Sequence, residues 1–193
     1  MDVEMKALEN NKTWELVNLP EGKEDIGMKW FYKLKFKLDG YIQNIKLCWL
    51  REVVANYKWK VYQFDVKSAF LNGFLEEVYL QQPKSYELKG EEMKVYKLRK
   101  ALYGLKQAPR AWYERIDTHF NKNGFRNSTS EATLFVKTKG GDEVLLICLY
   151  VDDLIYTGNS VALINNSKKI MVSEFEMTEL GEMSYFLGLK AAK

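Results

Sequence analysis

Cysteine and histidine are scarce in this sequence, and their scarcity excludes two kinds of site. Cys48 and Cys148 are the only cysteines and lie far apart, and His119 is the only histidine. Two distant cysteines cannot build a disulfide framework, and one histidine cannot complete a zinc site with them. Cys148 lies in an apolar run and is predicted to be a buried thiol.

Long apolar runs are also absent. No stretch reaches the roughly 18 residues that a membrane-spanning helix needs, so we expect no membrane partner. The first ten residues, MDVEMKALEN, are charged and amphipathic, and we do not expect them to be a secretory signal peptide. With so few cysteines, the chain is expected in a reducing, intracellular compartment.

Neither sign of charge dominates. Lys and Arg number 29 and Asp and Glu number 26, which leaves a formal net charge of +3. This balance identifies no partner by itself. The 193 residues are 47% hydrophobic and 28% charged, which is typical of a globular chain with one core. Nothing in these values specifies an oligomeric state.

Periodicity and turn residues predict a mixed α+β chain with an antiparallel sheet. Trp112, Ile116 and Phe120 recur every fourth position after Pro109, so a helix is predicted there, with Gly124 at its C-terminal cap. The other predicted elements are a helix of about fifteen residues capped by Ser160, a short helix at 2–10, a hairpin at 28–43, and strands at 60–66, 94–98, 132–137, 143–150, 154–157 and 183–190. The stretch 50–59 is ambiguous and is compatible with a short helix that enters a strand.

Two adjacent carboxylates interrupt an apolar, strand-forming stretch, LLICLYVDDLIYTG. The simplest geometry for Asp152 and Asp153 is a tight hairpin with both acids at the turn, where aspartate can serve merely as a turn former. Tight turns more often place Gly or Asn beside Asp, whereas Val151 and Leu154 flank this pair. A third acid, Asp65, lies inside another apolar strand, VYQFDV.

A buried carboxylate without a partner costs several kcal/mol, so these acids need a counter-charge. A neighbouring Lys or Arg would be sufficient for Asp65 and would make it a structural residue. A divalent cation would neutralise all three acids together, and hard oxygen ligands select Mg²⁺ or Mn²⁺. Two such ions about 4 Å apart can activate a hydroxyl and stabilise a leaving pyrophosphate. The residues thus predict a two-metal phosphoryl-transfer site, with the turn and ion-pair interpretations still open.

Longer motifs extend this interpretation. YVDD at 150–153 resembles the catalytic box of reverse transcriptases. QFDVKSAFLNGFLEEVYLQQP at 63–83 and KLRKALYGLKQAPRAWY at 97–113 are similar to the reverse-transcriptase domain of copia-type LTR retrotransposons, above all those of plants. NNKTWELVNLP at 10–20 and FEMTELGEMSYFLGLK at 175–190 resemble the same polyprotein region. The resemblance covers nearly the whole chain, with the motifs in the family's order.

The resemblance implies a right-hand polymerase, here a single partial domain with an incomplete fingers region at 1–59 and a palm at 60–193. It implies RNA-directed DNA synthesis with Mg²⁺ or Mn²⁺ as cofactor, and an RNA or DNA template-primer and a dNTP as partners. By position in the motifs, Asp65, the Val66 carbonyl and Asp152 are the expected metal ligands, and Asp153 completes the catalytic set. The family replicates in cytoplasmic particles, which is where the resemblance places the chain.

The motifs also imply a nucleotide pocket. Phe70, five residues after Asp65, has the position of an aromatic ring that blocks a 2′-hydroxyl and so favours deoxynucleotides. Ser68 and Ala69 are expected to offer backbone N–H groups to the triphosphate, and Gly104 to let the backbone approach the nucleotide closely. From the residues alone, a core ring is the favoured interpretation of Phe70, and a plain turn glycine is the alternative for Gly104.

A nucleic-acid-binding region is expected along the basic segment 94–126. Nine Lys and Arg residues there are opposed within the segment only by Glu114 and Asp117, which predicts a footprint on a phosphate backbone. A charge run can equally be a solvated face. By resemblance the template and primer contacts are Lys106, Arg110 and Tyr150, together with Phe186, Leu187 and Gly188 of a primer-gripping hairpin.

Two departures from the family pattern affect the expected activity. After GYIQNIK the family continues with a strand that carries an arginine for the triphosphate, and then with a long segment behind the palm. Here LCWLREVVANYKWKVY follows, and Arg51 matches no such arginine. The chain also ends at GLKAAK, where the family continues to a thumb and an RNase H domain. The resemblance therefore implies an internally deleted copy, whose uncovered apolar surface would favour aggregation or a partner.

Two other functions stay open on the sequence. A non-catalytic relic would retain at most nucleic-acid binding through the basic segment, and salt-sensitive binding without primer extension would identify it. Another two-metal phosphotransferase built on a palm-like sheet would act on small nucleotides without a template. Motifs as long as those quoted above argue against this second alternative.

Overall fold

The computed structural model describes residues 2–27, 56–84, 86–183, 185–186 and 189–190, with side chains described from Met5 to Met183 within these ranges. The predicted hairpin at 28–43, most of the stretch 50–59, Cys48 and Arg51 lie outside the described residues. No helix within the described ranges is long and apolar enough to cross a membrane.

The described elements confirm the predicted mixed α+β class with antiparallel sheets. The helices are α1 (Asp2–Asn10), α2 (Ala108–Lys122) and α3 (Val161–Glu174), with a 3-10 helix at Ala69–Asn72. The strands are β1 (Trp14–Val17), β2 (Val61–Val66), β3 (Phe74–Leu80), β4 (Val95–Lys100), β5 (Arg126–Asn127), β6 (Leu134–Lys139), β7 (Glu143–Tyr150), β8 (Asp153–Gly158), β9 (Met177–Glu182), β10 (Tyr185–Phe186) and β11 (Leu189–Lys190). The ladders between these strands are antiparallel.

The first of two compact units contains the described residues of Met1–Lys35 and Phe70–Ile116. Its sheet has the strand order β1-β4-β3. The apolar side of this sheet carries the unit's core, which consists of buried Val78, Leu80, Tyr96 and Leu98, with Trp14, Leu16, Leu75, Leu102 and Leu105 packed against them.

The second unit contains the described residues of Phe36–Ala69 and Asp117–Lys193. Its main sheet has six strands in the order β5-β6-β7-β8-β2-β9, and β10 pairs separately with β11. The strand that carries Asp65, β2, therefore lies inside the sheet between β8 and β9. Two ladders of backbone hydrogen bonds hold it, which fixes its register more firmly than that of an edge strand.

Both predicted long helices are confirmed. In α2 the residues that recur every fourth position, Trp112, Ile116 and Phe120, are buried. Gly124 follows the helix with φ +78°, the left-handed conformation that commonly ends helices. Helix α3 is capped by Ser160, whose side-chain oxygen accepts a hydrogen bond from the backbone N–H three residues later. Cys148, predicted to be a buried thiol, is buried in β7.

A lysine attaches α3 to one face of β2. The Lys168 Nζ lies 4.5 Å from the ring centroid of Tyr62, 5.0 Å from that of Phe64 and 2.6 Å from Glu179 Oε1. Two cation–π contacts and an ion pair thus fix the helix-facing side of the strand. Because side chains alternate along a strand, Asp65 points to the opposite face of the sheet, away from α3.

The strand assignments differ from prediction at β1, β3, β5 and β9, none of which is predicted, and at 183–190. The sequence does not predict β3 or β9, because β3 is largely exposed over its first four residues and β9 along most of its length, which hides the period-two pattern. The single strand predicted for 183–190 is wrong. There β10 and β11 pair with each other, Tyr185 opposite Lys190, so the chain reverses direction within a run whose composition alone suggests one strand.

Gln82 organises the irregular segment that follows β3. Its side chain is buried, and its Nε2 donates to the carbonyl oxygens of Glu91 at 2.7 Å and Lys94 at 2.9 Å. Its Oε1 accepts a hydrogen bond of 2.9 Å from the backbone N–H of Leu88. One amide therefore joins three points of a segment that has no sheet partner of its own, which is how loops without regular structure satisfy their backbone groups.

Replacing Gln82 by Ala is expected to lower the free energy of unfolding by about 2–4 kcal/mol, because three partly buried hydrogen bonds are lost and the segment they join is released. Gln81 beside it is exposed, and Gln81→Ala is expected to change the free energy by less than about 0.5 kcal/mol. Urea denaturation and limited proteolysis of the segment 83–94 would compare the two variants. Equal effects would show that Gln82 does not hold the segment.

Candidate active site

The predicted hairpin with both acids at its turn is confirmed. β7 ends at Tyr150 and β8 begins at Asp153, and these two residues pair directly. Val151 and Asp152 alone form the connecting loop, so Asp152 lies in the turn and Asp153 is the first residue of the returning strand.

Val151 is in a strained backbone conformation. Its φ is +55°, in the left-handed region that β-branched residues rarely adopt. Two-residue hairpin loops that match the twist of their strands require a positive φ at the first loop position, so the loop length imposes this conformation. Strain of this kind persists only where the surrounding structure enforces it, as the ladder between β7 and β8 does here.

The central strand β2 brings the third acid to the hairpin. Asp65 pairs with Asp153 in the ladder between β2 and β8, and directly paired residues of antiparallel strands project to the same face. The backbone N–H of Val66 donates to the carbonyl oxygen of Asp152 at 2.8 Å, which attaches the loop to the end of β2. The structure therefore brings Asp65, Asp152 and Asp153 together within the second unit.

Gln63 also belongs to this cluster and is not predicted from the sequence as a site residue. Its Nε2 donates to Oδ1 of Asp153 at 3.1 Å. It lies two residues before Asp65 on the same strand, and therefore on the same face. That spacing is the signal that could have found it, since a polar residue two positions from a candidate ligand is well placed to orient a neighbouring carboxylate.

The electrostatics of the cluster are those of crowded carboxylates. Burial raises the pKa of Asp153, the hydrogen bond from Gln63 lowers it, and the negative charges of Asp152 and Asp65 raise it, with a net upward shift. The negative charge of Asp65 also contributes to the raised pKa of Lys67, after the larger contribution of Glu176.

A structural ion pair would give Asp65 a lysine or arginine partner among its neighbours. The nearby Lys67 places its Nζ 2.7 Å from Glu176 Oε1. Within the described ranges, Asp65 itself takes part in no ion pair at contact distance. The ion-pair interpretation of this strand aspartate is therefore not supported by the described contacts.

The donors at this site fit a divalent cation by type and by charge. Carboxylates and a backbone carbonyl are the hard oxygen ligands that Mg²⁺ and Mn²⁺ select, and a cation would relieve the repulsion that contributes to the raised pKa of Asp153. Among the described residues, no group of three His, Cys, Asp or Glu side chains is spaced so that it could hold a metal ion. The assignment of Asp65, Val66 and Asp152 as ligands stays a prediction.

The predicted nucleotide residues are divided between the two units. In the second unit, Ser68 is exposed with φ +49°, and Ala69 is buried at the start of the 3-10 helix. In the first unit, Phe70 is buried, and its ring centroid lies 4.4 Å from that of Tyr103. Gly104 has φ +94° with open space where a Cβ would lie, as a turn glycine with an accessible backbone requires. Their roles toward a nucleotide stay predictions.

The predicted nucleic-acid contacts are partly described. In the first unit, Lys106 and Arg110 are exposed, and the Arg110 Nε lies 2.8 Å from Glu114 Oε1. In the second unit, Tyr150 is partly exposed at the end of β7. Phe186 lies in β10 without a described side chain, and Leu187 and Gly188 lie outside the described residues.

The positive charge of the basic segment 94–126 is partly paired with acids in the structure. Lys97 and Arg99 on β4 both pair with Glu15 on β1, with 3.7 Å from the Lys97 Nζ to Glu15 Oε1. Lys94 pairs with Glu91. Only two acids oppose these residues within the segment, but strand pairing adds Glu15, which is distant in sequence, and Glu91 lies just before the segment. Part of the segment is an ion-paired face rather than free positive charge.

Comparison with known proteins gives the class of this chain. Residues 40–193 match the family described as Reverse transcriptase (RNA-dependent DNA polymerase). This range is most of the chain, so the chain belongs to the reverse-transcriptase family.

Copia-type elements of plants are among its relatives, as the motifs indicate. The whole chain is 33% identical to part of the Retrovirus-related Pol polyprotein from transposon TNT 1-94 of Nicotiana tabacum, covering 17% of that protein. It is 34% identical to part of the corresponding polyprotein from transposon RE1 of Arabidopsis thaliana, covering 15% of it. The chain is thus a copia-type reverse-transcriptase domain of the kind found in retrotransposon Pol polyproteins, and it spans about a sixth of the length of these curated relatives.

The alignments also bear on the predicted internal deletion. The match to the TNT 1-94 polyprotein extends over 222 residues, whereas the chain has 193, so at least 29 aligned positions have no counterpart here. The match to the RE1 polyprotein extends over 223 residues. Both lengths agree with the loss of an internal segment relative to these polyproteins.

Asp153→Asn is expected to stabilise the fold at neutral pH. Because the native pKa of Asp153 lies above its unfolded value, the native state binds more protons between the two values. Stability from this group is present below the unfolded pKa, about 3.9, and is lost as pH rises through the native pKa. Asparagine resembles the protonated form and can still accept the hydrogen bond from Gln63, so the gain should be largest above this window and smallest below it.

Urea denaturation of the parent and the variant across this pH range would measure that gain. Asp142→Asn is the matched control, since Asp142 is exposed in the turn between β6 and β7. Its effect on the free energy of unfolding should be small at every pH. A gain for Asp153→Asn that is the same at acid and neutral pH would contradict the electrostatic explanation.

Val151→Gly is expected to raise the free energy of unfolding by about 0.5–1 kcal/mol, because relief of left-handed strain exceeds the added chain entropy of glycine. Val151 is 43% exposed, so little packing is lost. The control is Val172→Gly on the exposed side of α3, where glycine should cost about 0.5 kcal/mol. Thermal denaturation would show opposite shifts; shifts in the same direction would mean that Val151 is not strained.

Proposed function

We propose that this chain is the palm and part of the fingers of a right-hand reverse transcriptase, with RNA-directed DNA synthesis as its reaction. The observation that carries the proposal is the direct pairing of Asp65 with Asp153 beside Asp152, in a chain of the reverse-transcriptase family. The reaction is an in-line attack of a primer 3′-hydroxyl on the α-phosphorus of a dNTP, with release of pyrophosphate. We assign 1–59 to the fingers and 60–193 to the palm.

Asp65, the Val66 carbonyl and Asp152 would hold Mg²⁺ or Mn²⁺. The bound ions would lower the pKa of the attacking hydroxyl and neutralise charge on the leaving pyrophosphate. The chain's own residues keep these donors in place: the β2–β8 ladder sets Asp65 against the hairpin, and the Val66 N–H fixes the loop through the Asp152 carbonyl. Gln63 orients the Asp153 carboxylate, which adds negative charge to the site without being a principal ligand.

The substrates would be a dNTP and an RNA or DNA template-primer. Phe70 would exclude the 2′-hydroxyl of a ribonucleotide, and the Ser68 and Ala69 N–H groups would bind the triphosphate. The backbone at Gly104 would face the nucleotide. The assigned template and primer contacts are Lys106, Arg110 and Tyr150, together with Phe186, Leu187 and Gly188. The site of action would be the cytoplasmic particles in which the family replicates.

A non-catalytic relic is the second candidate function. The observation that favours it is the length of the alignment, in which at least 29 positions of the TNT 1-94 polyprotein match have no counterpart in this chain. A relic would retain the hairpin and its acids as inherited structure, and the exposed basic residues would still bind nucleic acid.

Primer extension on an RNA template with Mg²⁺ and dNTPs would test the proposed function. Asp152→Asn is expected to reduce the extension rate by about 10³-fold or more, because loss of a metal ligand removes several kcal/mol of charge stabilisation. Asp142→Asn, in the turn between β6 and β7, is the matched control and should retain the parent's rate.

Metal binding gives a readout that does not depend on synthesis. Mg²⁺ at 100 times its dissociation constant should stabilise the folded parent by about 2.7 kcal/mol, and Asp65→Asn should abolish that stabilisation. Extension by the parent with loss in Asp152→Asn would support the polymerase. If the folded protein neither extends a primer nor is stabilised by Mg²⁺, the non-catalytic relic is supported instead.

A further inference from the structure

Phe74 is an exposed aromatic ring with a cation beside it. It is the first residue of β3 and 65% of its surface is exposed. An isolated exposed apolar residue is common and has no meaning by itself. Here, however, the guanidinium carbon of Arg115 lies 5.9 Å from the centroid of the ring, which is within the range of a cation–π contact.

Three elements of the first unit meet at this ring. Phe74 pairs with Lys100 at the end of β4, so both side chains project from the same face of the sheet. Helix α2 approaches on the other side, because Gly73 has no side chain: a Cβ there would lie only 2.7 Å from the Trp112 N atom. Arg115 follows one helical turn after Ala111, the other residue at this contact, and thereby reaches Phe74.

The acids near this ring in sequence have other partners or an irregular setting. Glu114, next to Arg115, pairs with Arg110, with 2.8 Å between Arg110 Nε and Glu114 Oε1. Glu77 pairs with Lys23 at 2.8 Å. Glu76 lies in the part of β3 where the register shifts. The described ion pairs of Glu114 and Glu77 are therefore made with cations other than Arg115 and Lys100.

We propose that Phe74, Arg115 and Lys100 form a stacking site for single-stranded nucleic acid. An unpaired base stacks on the phenyl ring, and the two cations bind the adjoining phosphates. A strand without pairing is the occupant because its bases are free to leave the stack, whereas a duplex presents only phosphates. The proposal rests on the proposed function for the natural identity of the strand, but binding is measurable without any synthesis.

The alternative explanation is structural: Arg115 only shields the exposed ring of Phe74 from water. The two explanations differ in what the ring must be. Stacking on a base requires an aromatic face, whereas a covered apolar surface requires only apolar volume. Leucine supplies the volume without the face, and tryptophan supplies a larger face.

Fluorescence anisotropy with a labelled oligouridine of about twelve nucleotides, within the site sizes of single-strand binders, would test the proposal. Phe74→Leu should weaken binding by about fivefold to a hundredfold with an unchanged salt dependence, and Phe74→Trp should bind as the parent does or more tightly. Arg115→Gln and Lys100→Gln should each lower the slope of log affinity against log salt by roughly 0.7. A blunt RNA duplex should bind the parent and Phe74→Leu equally.

The matched control is Tyr57→Leu, in which a ring of similar exposure, 63%, is removed from the second unit. It should leave oligouridine binding unchanged. Circular dichroism and urea denaturation would verify that all variants are folded. The proposal of a stacking site is rejected if the parent does not bind oligouridine. It is also rejected if Phe74→Leu and Tyr57→Leu both bind oligouridine as the parent does.

The experiments distinguish failure of the stacking-site proposal from failure of the proposed polymerase function. A parent that extends primers while Phe74→Leu binds oligouridine normally would keep the polymerase and reject this site. A parent that does not extend primers, but binds oligouridine through Phe74, would keep this site and reject the polymerase.

Discussion

The antiparallel ladder between β2 and β8 is the constraint on which the rest of the site depends. It sets Asp65 opposite Asp153, and the adjoining Val66 N–H holds the two-residue loop through Asp152. The second ladder, to β9, and the contacts of Lys168 on the other face leave β2 no freedom to slide. Backbone hydrogen bonds thus force three like charges together, and the cluster is held against its own repulsion by the strands rather than by its side chains.

In the second unit, this arrangement concentrates features that lower the stability of the fold at the candidate site. The raised pKa of Asp153 and the left-handed Val151 are both unfavourable for the fold, and both lie at the same turn. Residues that violate local rules are expected at functional sites, where other structure compensates for them. The apolar strands on either side, buried along most of β7 and β8, supply that compensation.

Sequence reasoning succeeds here where the signal is local. The every-fourth apolar residues of α2, the Ser160 cap and the apolar runs of β7 and β8 each determine their element without help from distant residues. It does not predict the contacts that strand pairing makes between residues distant in sequence. Gln63 becomes part of the site only through β8, and Glu15 pairs with Lys97 and Arg99 only because β1 pairs with β4. Partially exposed strands such as β3 and β9 have too little alternation to be recognised. The family was predictable because its motifs are long, whereas the roles of individual residues depend on geometry that motifs do not encode.

The pleat of β2 also makes the site sensitive to the parity of any change in strand length. Tyr62 and Phe64 face α3, and Asp65 faces the opposite side. One residue inserted between Phe64 and Asp65 would turn the carboxylate under the helix, whereas two would return it to its own face at a shifted position. Odd and even length changes in this strand therefore have different consequences: the first removes the acid from its cluster, and the second only displaces it.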